Sequence, residues 1–339
     1  MPDAAVPEHP ASESTASATA IAVEGLKVHF RTFAGRVRAV DGVDLNVKIG
    51  AFHGIVGESG CGKTTLARTI VGLQSPTAGQ VRILGRDRAK WQSQDRMSFA
   101  RTVQFIFQDP LGSMSRRQSV QQTMEEPLRI HGKGDARERR RKIKELLDLV
   151  ALPVSVLDRL PRSLSGGQRQ RVSIARALAL NPEVLICDEP LSALDVSVRA
   201  QIVNLFARLQ AQLNLTIIIV AHDLAIVREV CSAVTVMYLG RVAEEGAARP
   251  LFADPAHPYS QALLSAVPSP DPRIEEARSR VLLEGDPPSP LDPPAGCRFS
   301  TRCPVAVCEC RSIEPTLRSV RHGGRAACHL ADESRHPIL

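Results

Sequence analysis

The segment GESGCGKTT, residues 57–65, constrains this chain more than any other stretch of its sequence. It fits the pattern G-x-x-x-x-G-K-[ST] and stands between an apolar run, FHGIV, and residues with helical spacing. Glycines let the backbone turn its N–H groups inward toward an anion, and the first turn of a following helix adds partial positive charge. The segment therefore predicts a phosphate-binding loop, and a glycine-rich turn without a ligand is the alternative.

Lys63 and Thr64 supply the polar side chains of this loop. We expect the Lys63 ammonium to reach the β- and γ-phosphates of a nucleotide, and the Thr64 hydroxyl to ligate Mg²⁺. We interpret Cys61 as a small side chain that fills space in the loop. The predicted nucleotide-binding residues of the loop are Gly57, Ser59, Gly60, Cys61, Gly62, Lys63, Thr64 and Thr65.

Two adjacent acids follow another apolar run. The stretch VLICDE places Asp188 and Glu189 at the carboxyl end of a predicted buried strand, where ligands bind in open parallel sheets. We expect Asp188 to hold Mg²⁺. We expect Glu189 to orient or deprotonate an attacking water, a role worth about 10²–10⁴-fold in rate. An acidic strand end or a helix cap is the alternative, and a phosphate loop in the same chain argues against it.

The order of apolar segments predicts an α/β fold. Residues 21–30 and 39–49 show the partial alternation of antiparallel strands. Three short apolar runs then alternate with helical segments, which indicates a parallel sheet covered by helices on both faces. Residues 112–180 have a mostly helical pattern, and residues 233–246 have the pattern of a β-hairpin. Since 43% of the residues are hydrophobic, the chain can bury a sizeable core.

Composition narrows the classes of protein to which this 339-residue chain can belong. The net charge of +7 is a mild excess, and aromatic residues make up only 4%, too few for base-stacking platforms. The basic run at residues 137–144 is typical of a solvated helix face, so we expect no nucleic-acid partner. No apolar run approaches the roughly 18–20 residues of a membrane span. Residues 1–20 lack a secretory signal and predict a disordered tail, which favours a cytosolic protein.

A second anion-binding element is predicted in LSGGQRQRVSIARALA, residues 164–179. Ser165 can cap a helix that begins near Gly167, and the glycines again expose N–H groups at a helix N-terminus. These residues resemble the signature of the ATP-binding cassette family, and the resemblance covers residues 21–265. Three further motifs stand in the order of that family: Gln108 in FQDP, Ser192–Asp195 in SALD and His222 in VAHD.

The resemblance implies a P-loop NTPase fold of the ATP-binding cassette type. This fold has a RecA-like core, an antiparallel β subdomain and an α-helical subdomain that spans about residues 112–175. It also implies an ATPase in which two such domains sandwich two ATP molecules head to tail. Each ATP lies between the phosphate loop of one subunit and the signature loop of the other.

The resemblance also implies roles for individual residues. Gln108 would ligate Mg²⁺ together with Thr64 and Asp188, and it would sense a transmembrane partner. His222 would contact the γ-phosphate. The implied catalytic residues are Glu189, His222 and Gln108; the residues that face the ATP of the partner are Ser165, Gly166, Gly167 and Gln168; and the loop that crosses the dimer interface includes Asp195.

The aromatic residue that stacks on adenine in this family is the weakest match. The corresponding position here is Ala34, and the neighbouring Phe33 is our candidate. A phenylalanine buried in the core is the alternative interpretation of Phe33.

The resemblance extends over residues 21–339 to the ATPase subunits of bacterial oligopeptide and dipeptide importers. The strings that carry it are FQDPLGSM, CDEPLSALDVSVRAQIVNL, HPYSQALLSAVPSPDP and EGDPPSPLDPPAGCRFSTRCP, and they are most similar to the F-type subunit. The resemblance implies a second, D-type ATPase subunit, two transmembrane permeases and an extracytoplasmic peptide-binding protein. It places the chain at the cytoplasmic face of the bacterial cell membrane. The alternatives are an importer of nickel or another small solute, a soluble non-transport cassette protein, and a regulatory nucleotide binder without hydrolysis.

A proline-rich stretch from residue 266 predicts a separate C-terminal module, 266–339. In a cytosolic protein, clustered thiols favour a metal over disulfides, although the spacing lacks C-x₂-C pairs. In the peptide-importer subunits this region resembles one that can hold a [4Fe–4S] cluster; zinc and no metal are the alternatives. We expect Cys187, His257 and His329 to be structural, although His329 could replace a thiolate. The candidate ligands are Cys297, Cys303, Cys310 and Cys328.

Overall fold

The computed structural model describes residues 19–267, 283 and 285–331. The strands are β1 (Thr19–Thr32), β2 (Gly35–Lys48), β3 (Phe52–Val56), β4 (Ala78–Ile83), β5 (Arg86–Asp87), β6 (Val103–Ile106), β7 (Val184–Asp188), β8 (Thr216–Ala221), β9 (Ala233–Tyr238), β10 (Arg241–Ala247), β11 (Arg318–Ser319) and β12 (Arg325–Ala326). The helices are α1 (Lys63–Ile70), α2 (Arg88–Gln94), α3 (Arg96–Thr102), α4 (Val120–Ile130), α5 (Ala136–Leu149), α6 (Gly166–Leu178), α7 (Val196–Leu213), α8 (Leu224–Val230), α9 (Ala248–Ala253), α10 (Pro258–Ser265) and a short helix at Cys308–Ser312.

The strands form two sheets. The smaller sheet has the order β2-β1-β4-β5, and its pairs are antiparallel. The larger sheet has the order β11-β12-β10-β9-β3-β8-β7-β6, and the five strands from β9 to β6 are parallel. Strands β9 and β10 form the predicted hairpin. The α/β fold, with an antiparallel N-terminal part and a parallel core, is therefore confirmed.

Strand β8 shows how helices cover both faces of the parallel sheet. All of its residues are buried, and successive side chains of a strand point to opposite faces. Ile217 and Ile219 pack in one apolar cluster with residues of α6 and α7. Ile218 and Val220 pack in a second cluster with residues of α1 and of the antiparallel sheet. A run of apolar residues without alternation is thus the sequence that such a strand requires.

The segment between β6 and β7 is mostly helical, as predicted. In α5, Ile143, Leu146 and Leu147 are buried while Arg137 and Lys144 are exposed, so the basic run is confirmed as a solvated helix face. Helices α4, α5 and α6 each begin with a reciprocal pair of side-chain to backbone hydrogen bonds, a capping box. The pairs are Ser119–Gln122, Asp135–Glu138 and Ser165–Gln168.

The C-terminal residues pack against the larger sheet. Strand β12 pairs with β10, with Ala326 opposite Glu244. Phe299 is buried, and its ring packs against the rings of Tyr238 and Tyr259. The described C-terminal residues therefore pack on the core, and the separate module with its boundary at residue 266 stays a prediction. Strands of two residues cannot form a stable sheet alone, so they add to an existing edge.

Two of the predicted segments lie partly outside the described residues. They are the N-terminal tail, of which only Thr19 and Ala20 are described and belong to β1, and the proline-rich stretch, of which residues 268–282 and 284 are not described. Within the part of the chain that the structure describes, no helix is long and apolar enough to cross a membrane.

Candidate nucleotide and magnesium site

The loop between β3 and α1 has the geometry that the glycine pattern predicts. Gly57 and Gly62 have φ values of 150° and 105°, a region that favours glycine. A Cβ atom on Gly57 would lie 2.2 Å from the carbonyl oxygen of Met237, and one on Gly62 would lie 2.1 Å from that of Ala39. Both positions therefore exclude any side chain.

Lys63 begins helix α1, and its side chain folds back over the loop. It is 4% exposed, and its Nζ donates hydrogen bonds of 2.8 Å to the carbonyl oxygens of Gly57 and Glu58. The residue before it, Gly62, provides no side-chain cap, so the first N–H groups of α1 have no side-chain acceptor at this position. The loop thus combines a buried cation with an uncapped helix N-terminus, which suits an anion.

Cys61 fills space inside the loop, as predicted. Its Sγ would lie 2.8 Å from a Cβ on Gly57, and it lies 3.7 Å from Lys63 Nζ. Burial raises the pKa of this thiol, and the nearby ammonium only partly offsets the effect. Cys187, the other cysteine for which we expected a structural role in the core, is fully buried on β7.

Thr64, in the first turn of α1, contacts Asp188 at the carboxyl end of β7. The Thr64 hydroxyl donates a 2.8 Å hydrogen bond to Asp188 Oδ1. Asp188 is fully buried, and its Oδ2 has no hydrogen-bond partner among the described residues. Burial raises the pKa of the Asp188 carboxyl, and the neighbouring Glu189 adds to the rise. An unpaired buried carboxylate oxygen beside a hydroxyl fits the oxygen ligands that Mg²⁺ prefers.

Glu189 lies at the end of β7 in an uncommon backbone conformation. Its φ is +44°, and its N–H donates a 3.0 Å hydrogen bond to the carbonyl of Val220 on β8. Left-handed φ values are rare outside glycine and cluster at functional sites. Gln108 Nε2 donates to Glu189 Oε2 over 3.0 Å, and His222 Nδ1 lies 3.6 Å from the same oxygen. The structure therefore brings together the three residues that we predicted to be catalytic.

The signature segment begins helix α6. The Ser165 hydroxyl accepts a hydrogen bond from the N–H of Gln168, which confirms the predicted cap, and the helix begins at Gly166. A Cβ on Gly167 would lie 2.7 Å from the Val198 side chain, so this glycine lets α6 approach α7 closely. Asp195 precedes α7, but no side-chain hydrogen bond caps that helix.

Phe33 lies in the turn between β1 and β2, and its side chain is fully exposed. The alternative of a core phenylalanine is therefore wrong. An exposed ring on a hairpin tip is available for stacking, and the assignment to adenine stays a prediction.

The four candidate cysteine ligands lie close enough to influence each other. Cys310 and Cys328 are buried, Cys297 and Cys303 are partly exposed, and all four are free thiols. Burial raises the pKa of Cys297 to about 12, and the other three sulfurs contribute to the rise. Still, no group of three or more histidine, cysteine or acidic side chains in the described residues is arranged to hold a metal ion.

The histidines have other partners. His257 is buried and caps α10 by accepting a hydrogen bond from the Tyr259 N–H, and burial lowers its pKa to about 4. His329 contacts the carbonyl oxygen of Ile313 at 2.9 Å and Glu309 at 3.3 Å. The structural role that we expected for both histidines is confirmed, because each stabilises local backbone or a neighbouring acid.

The sequence did not predict the residues that bind Glu58 in the phosphate loop. Glu58 accepts hydrogen bonds from Arg302, and its N–H donates to the Tyr259 hydroxyl. Glu58 occupies a variable position of the glycine pattern, and its partners come from distant parts of the chain. No local sequence signal therefore points to these contacts.

Comparison with known proteins agrees with this geometry. The family model "ABC transporter" matches residues 40–192, and the model "Oligopeptide/dipeptide transporter, C-terminal region" matches residues 243–310. The oligopeptide transport ATP-binding protein AppF of Bacillus subtilis is 46% identical over 302 residues, which cover 89% of this chain and 92% of AppF. The oligopeptide transport ATP-binding protein OppF of Escherichia coli is 45% identical, covering 88% of this chain and 93% of OppF.

Solved structures match the cassette part of the fold. A dimeric, post-hydrolysis ATP-binding cassette bound to ADP and Pi has a TM-score of 0.62 at 29% identity, and it covers 68% of this chain and 99% of its own. The cbiO1 protein of Clostridium perfringens, part of the ABC transporter complex cbiONQ, also has a TM-score of 0.62, at 30% identity, and covers 70% of this chain and 91% of its own. This chain belongs to the ABC transporter ATPases, in the family of oligopeptide transport ATP-binding proteins.

Proposed function

We propose that this chain is the ATP-hydrolysing subunit that powers peptide import through a bacterial ABC transporter, by ATP-driven dimerisation with a second ATPase subunit. The observation that carries the ATPase part is the unpaired, buried Asp188 Oδ2 beside Thr64, with Glu189, Gln108 and His222 at the same strand end. The names of the relatives support the peptide part, because AppF and OppF are oligopeptide transport proteins.

The residues of the site divide the chemistry among them. Thr64, Asp188 and Gln108 would hold Mg²⁺, which when bound supplies positive charge to the phosphates. Lys63 would exchange its two carbonyl partners for phosphate oxygens. Glu189 would orient the attacking water and accept its proton, while His222 would contact the γ-phosphate.

We propose that the signature loop completes the ATP site of a partner subunit. The loop at Ser165–Gln168 has its own capped helix N-terminus, and it packs beside the segment that contains Asp195. One chain then carries two anion-binding loops because each serves a different nucleotide. One related cassette forms a dimer in its solved structure, and we propose that this chain pairs in the same way with a D-type sibling.

An apolar groove beside Gln108 is the candidate surface for a permease. It is lined in part by Leu73, Phe99, Phe105 and Phe107, of which Leu73 is 57% and Phe107 is 38% exposed. Contact at this groove would affect Gln108 through Phe107, the residue that precedes it in the chain. The subunit would thus work at the cytoplasmic face of the membrane, with two permeases and an extracytoplasmic peptide-binding protein.

Replacement of the proposed base tests the ATPase part. We expect Glu189→Gln to bind ATP as the unchanged chain does but to lose turnover by about 10²–10⁴-fold. Phosphate release measures the turnover, and equilibrium ATP binding is the control that the site is intact. Turnover within tenfold of that of the unchanged chain would contradict the assigned role.

Co-purification from membranes distinguishes the importer from a soluble cassette protein. We expect permeases to co-purify with the unchanged chain and to be lost in Leu73→Glu, whose ATP binding should remain. Ile130→Glu is the matched control, since Ile130 is exposed and does not line the groove. Absence of permeases with the unchanged chain would favour the soluble alternative.

We further propose that Cys297, Cys303, Cys310 and Cys328 hold a [4Fe–4S] cluster. The mutual influence of the four sulfurs supports proximity. A cluster of several irons places its thiolates farther apart than a single zinc ion does. Iron, sulfide and visible absorbance after anaerobic purification test the proposal; a folded, colourless and iron-free protein would overturn it, and zinc in its place would support the alternative.

A further inference from the structure

Arg302 makes a direct contact from the C-terminal region to the phosphate loop. Its Nη1 donates to Glu58 Oε2 over 2.8 Å, and its Nη2 donates to Glu58 Oε1 over 3.2 Å. The side chain of Arg302 is 8% exposed and that of Glu58 is 25% exposed, so water screens the pair little. A two-point contact of this kind fixes the orientation of the carboxylate as well as its position.

Glu58 is in turn bound to the residue that we expect to hold the phosphates. Its carbonyl oxygen accepts the 2.8 Å hydrogen bond from Lys63 Nζ and a 3.3 Å hydrogen bond from the Cys61 N–H. Its own N–H donates to the Tyr259 hydroxyl over 2.8 Å. A displacement of Glu58 therefore displaces an acceptor of Lys63.

Arg298 reaches the same loop by a second path. It donates to the carbonyl oxygen of Leu239 and pairs with Asp41. Gly240, which follows Leu239 in the chain, donates its N–H to the Cys61 carbonyl oxygen over 2.9 Å. Both arginines lie in the segment 297–303, so one short C-terminal segment is connected to the loop at Glu58 and, through Leu239 and Gly240, at Cys61.

We infer that Arg302 is a positioning residue for ATP, which acts through Glu58 to hold the phosphate loop in its binding geometry. The described C-terminal residues would then act on the nucleotide site through Glu58. The inference rests on the proposed binding of ATP at Gly57–Thr65. It follows because the loop must present Lys63 and its N–H groups in one arrangement, and small displacements of a binding group are costly.

Equilibrium ATP binding to the full chain in the presence of Mg²⁺ tests this role. We expect Arg302→Gln to weaken ATP binding by about five- to tenfold, and Arg302→Lys to weaken it less, because lysine keeps the charge but loses the two-point contact. Arg321→Gln is the matched control. It removes another C-terminal arginine, which pairs with Asp254 in an exposed contact away from the loop. An Arg302→Gln protein that binds ATP like Arg321→Gln would overturn the inference.

A double-mutant cycle identifies Glu58 as the route. In a Glu58→Gln background, Arg302→Gln should cause no further loss of ATP binding. A full second loss would overturn the route through Glu58. Lys63→Ala separates this inference from the proposed function. If Lys63→Ala bound ATP normally, the nucleotide site itself would be wrong. If Lys63→Ala lost ATP while Arg302→Gln kept it, only the inference would be wrong.

Hydrogen exchange distinguishes a specific coupling through Arg302 from a general loss of protein stability. Because coupling between two sites is reciprocal, ATP should slow amide exchange at residues 299–303 of the unchanged chain. The same protection should be absent in Arg302→Gln, even under conditions in which that variant is saturated with ATP and folded by circular dichroism. Equal protection in both proteins would contradict a coupling through Arg302.

Discussion

Gly62 and Gly60 differ in what surrounds them, although both belong to the phosphate loop. Both have positive φ values, 105° and 79°. A Cβ on Gly62 would lie 2.1 Å from a backbone oxygen of Ala39, whereas a Cβ on Gly60 would meet no atom within 4 Å. The two positions therefore separate the cost of the backbone conformation from the cost of a collision.

We expect Gly62→Ala to weaken ATP binding at least tenfold and to lower the free energy of unfolding by about 1–3 kcal/mol, because the backbone must move. Gly60→Ala should cost about 1 kcal/mol or less. ATP titration and urea unfolding of both variants measure the effects. Equal losses in the two variants would show that the collision at Ala39 does not matter.

Among single residues, the positions of the motif side chains could be predicted from the sequence, whereas the residues that contact the phosphate loop from distant parts of the chain could not. Lys63, Thr64, Asp188 and Glu189 could be predicted because the motif fixes their positions relative to a strand end. Glu58 could not, because its importance depends on partners far away in the sequence. The same holds for the φ of +44° at Glu189, which depends on its hydrogen bond to β8.

Helices α4 and α6 begin with the same capping box, which offers a test of the signature loop. We expect Ser165→Ala and Ser119→Ala to lower the free energy of unfolding by a similar amount, about 1 kcal/mol each. Only Ser165→Ala should also lower ATP turnover, because only that cap belongs to the proposed ATP site of the partner.

Urea unfolding and steady-state phosphate release, measured on both cap variants, separate the two roles. A loss of turnover in Ser119→Ala as large as that in Ser165→Ala would mean that helix stability alone explains the effect.

The link between β10 and the C-terminal residues should depend on pH through His322. Its Nε2 contacts the buried Glu244 Oε1 over 2.8 Å, and this hydrogen bond raises the pKa of His322; Asp254 contributes to the rise. Glu244 also accepts hydrogen bonds from the N–H groups of Ala256 and His257. Because the folded-state pKa is above the ordinary value, the stabilisation is complete at low pH and is lost as pH rises through the folded-state pKa.

We therefore expect His322→Gln to cost about 2 kcal/mol of unfolding free energy at pH 6 and less as pH rises toward 9. Arg325→Gln is the control, since Arg325 on β12 pairs with Glu245, the neighbour of Glu244 on β10, and this pair contains no histidine. Chemical unfolding at several pH values measures both. A cost of His322→Gln that is constant with pH would contradict a charged pair.

Among the strands and helices, the hydrophobic pattern predicted those that are long enough to show a periodicity. Strands β3, β7 and β8 follow from apolar runs, and the helices between β6 and β7 follow from spacing and caps. Strands β11 and β12 did not follow, because two residues are too few for a pattern. Their pairing depends on the free edge of β10, which only the assembled sheet provides.

At the scale of the whole molecule, the C-terminal region extends the main sheet and holds the phosphate loop. Proline content and clustered cysteines predicted a C-terminal module, and the contacts of Phe299, Arg298 and Arg302 join its described residues to the core. A change in composition marks a boundary in the sequence, but it does not predict whether the C-terminal region packs on the cassette core. That depends on individual long-range contacts.

Uptake of a labelled oligopeptide into proteoliposomes tests whether this chain powers peptide import. The vesicles would contain the permeases, this chain and its sibling ATPase, with the peptide-binding protein outside and ATP inside. We expect uptake that requires ATP, is lost with Glu189→Gln and is not replaced by nickel uptake. Peptide uptake that persists with Glu189→Gln, or a system that takes up nickel but no peptide, would contradict peptide import powered by this chain.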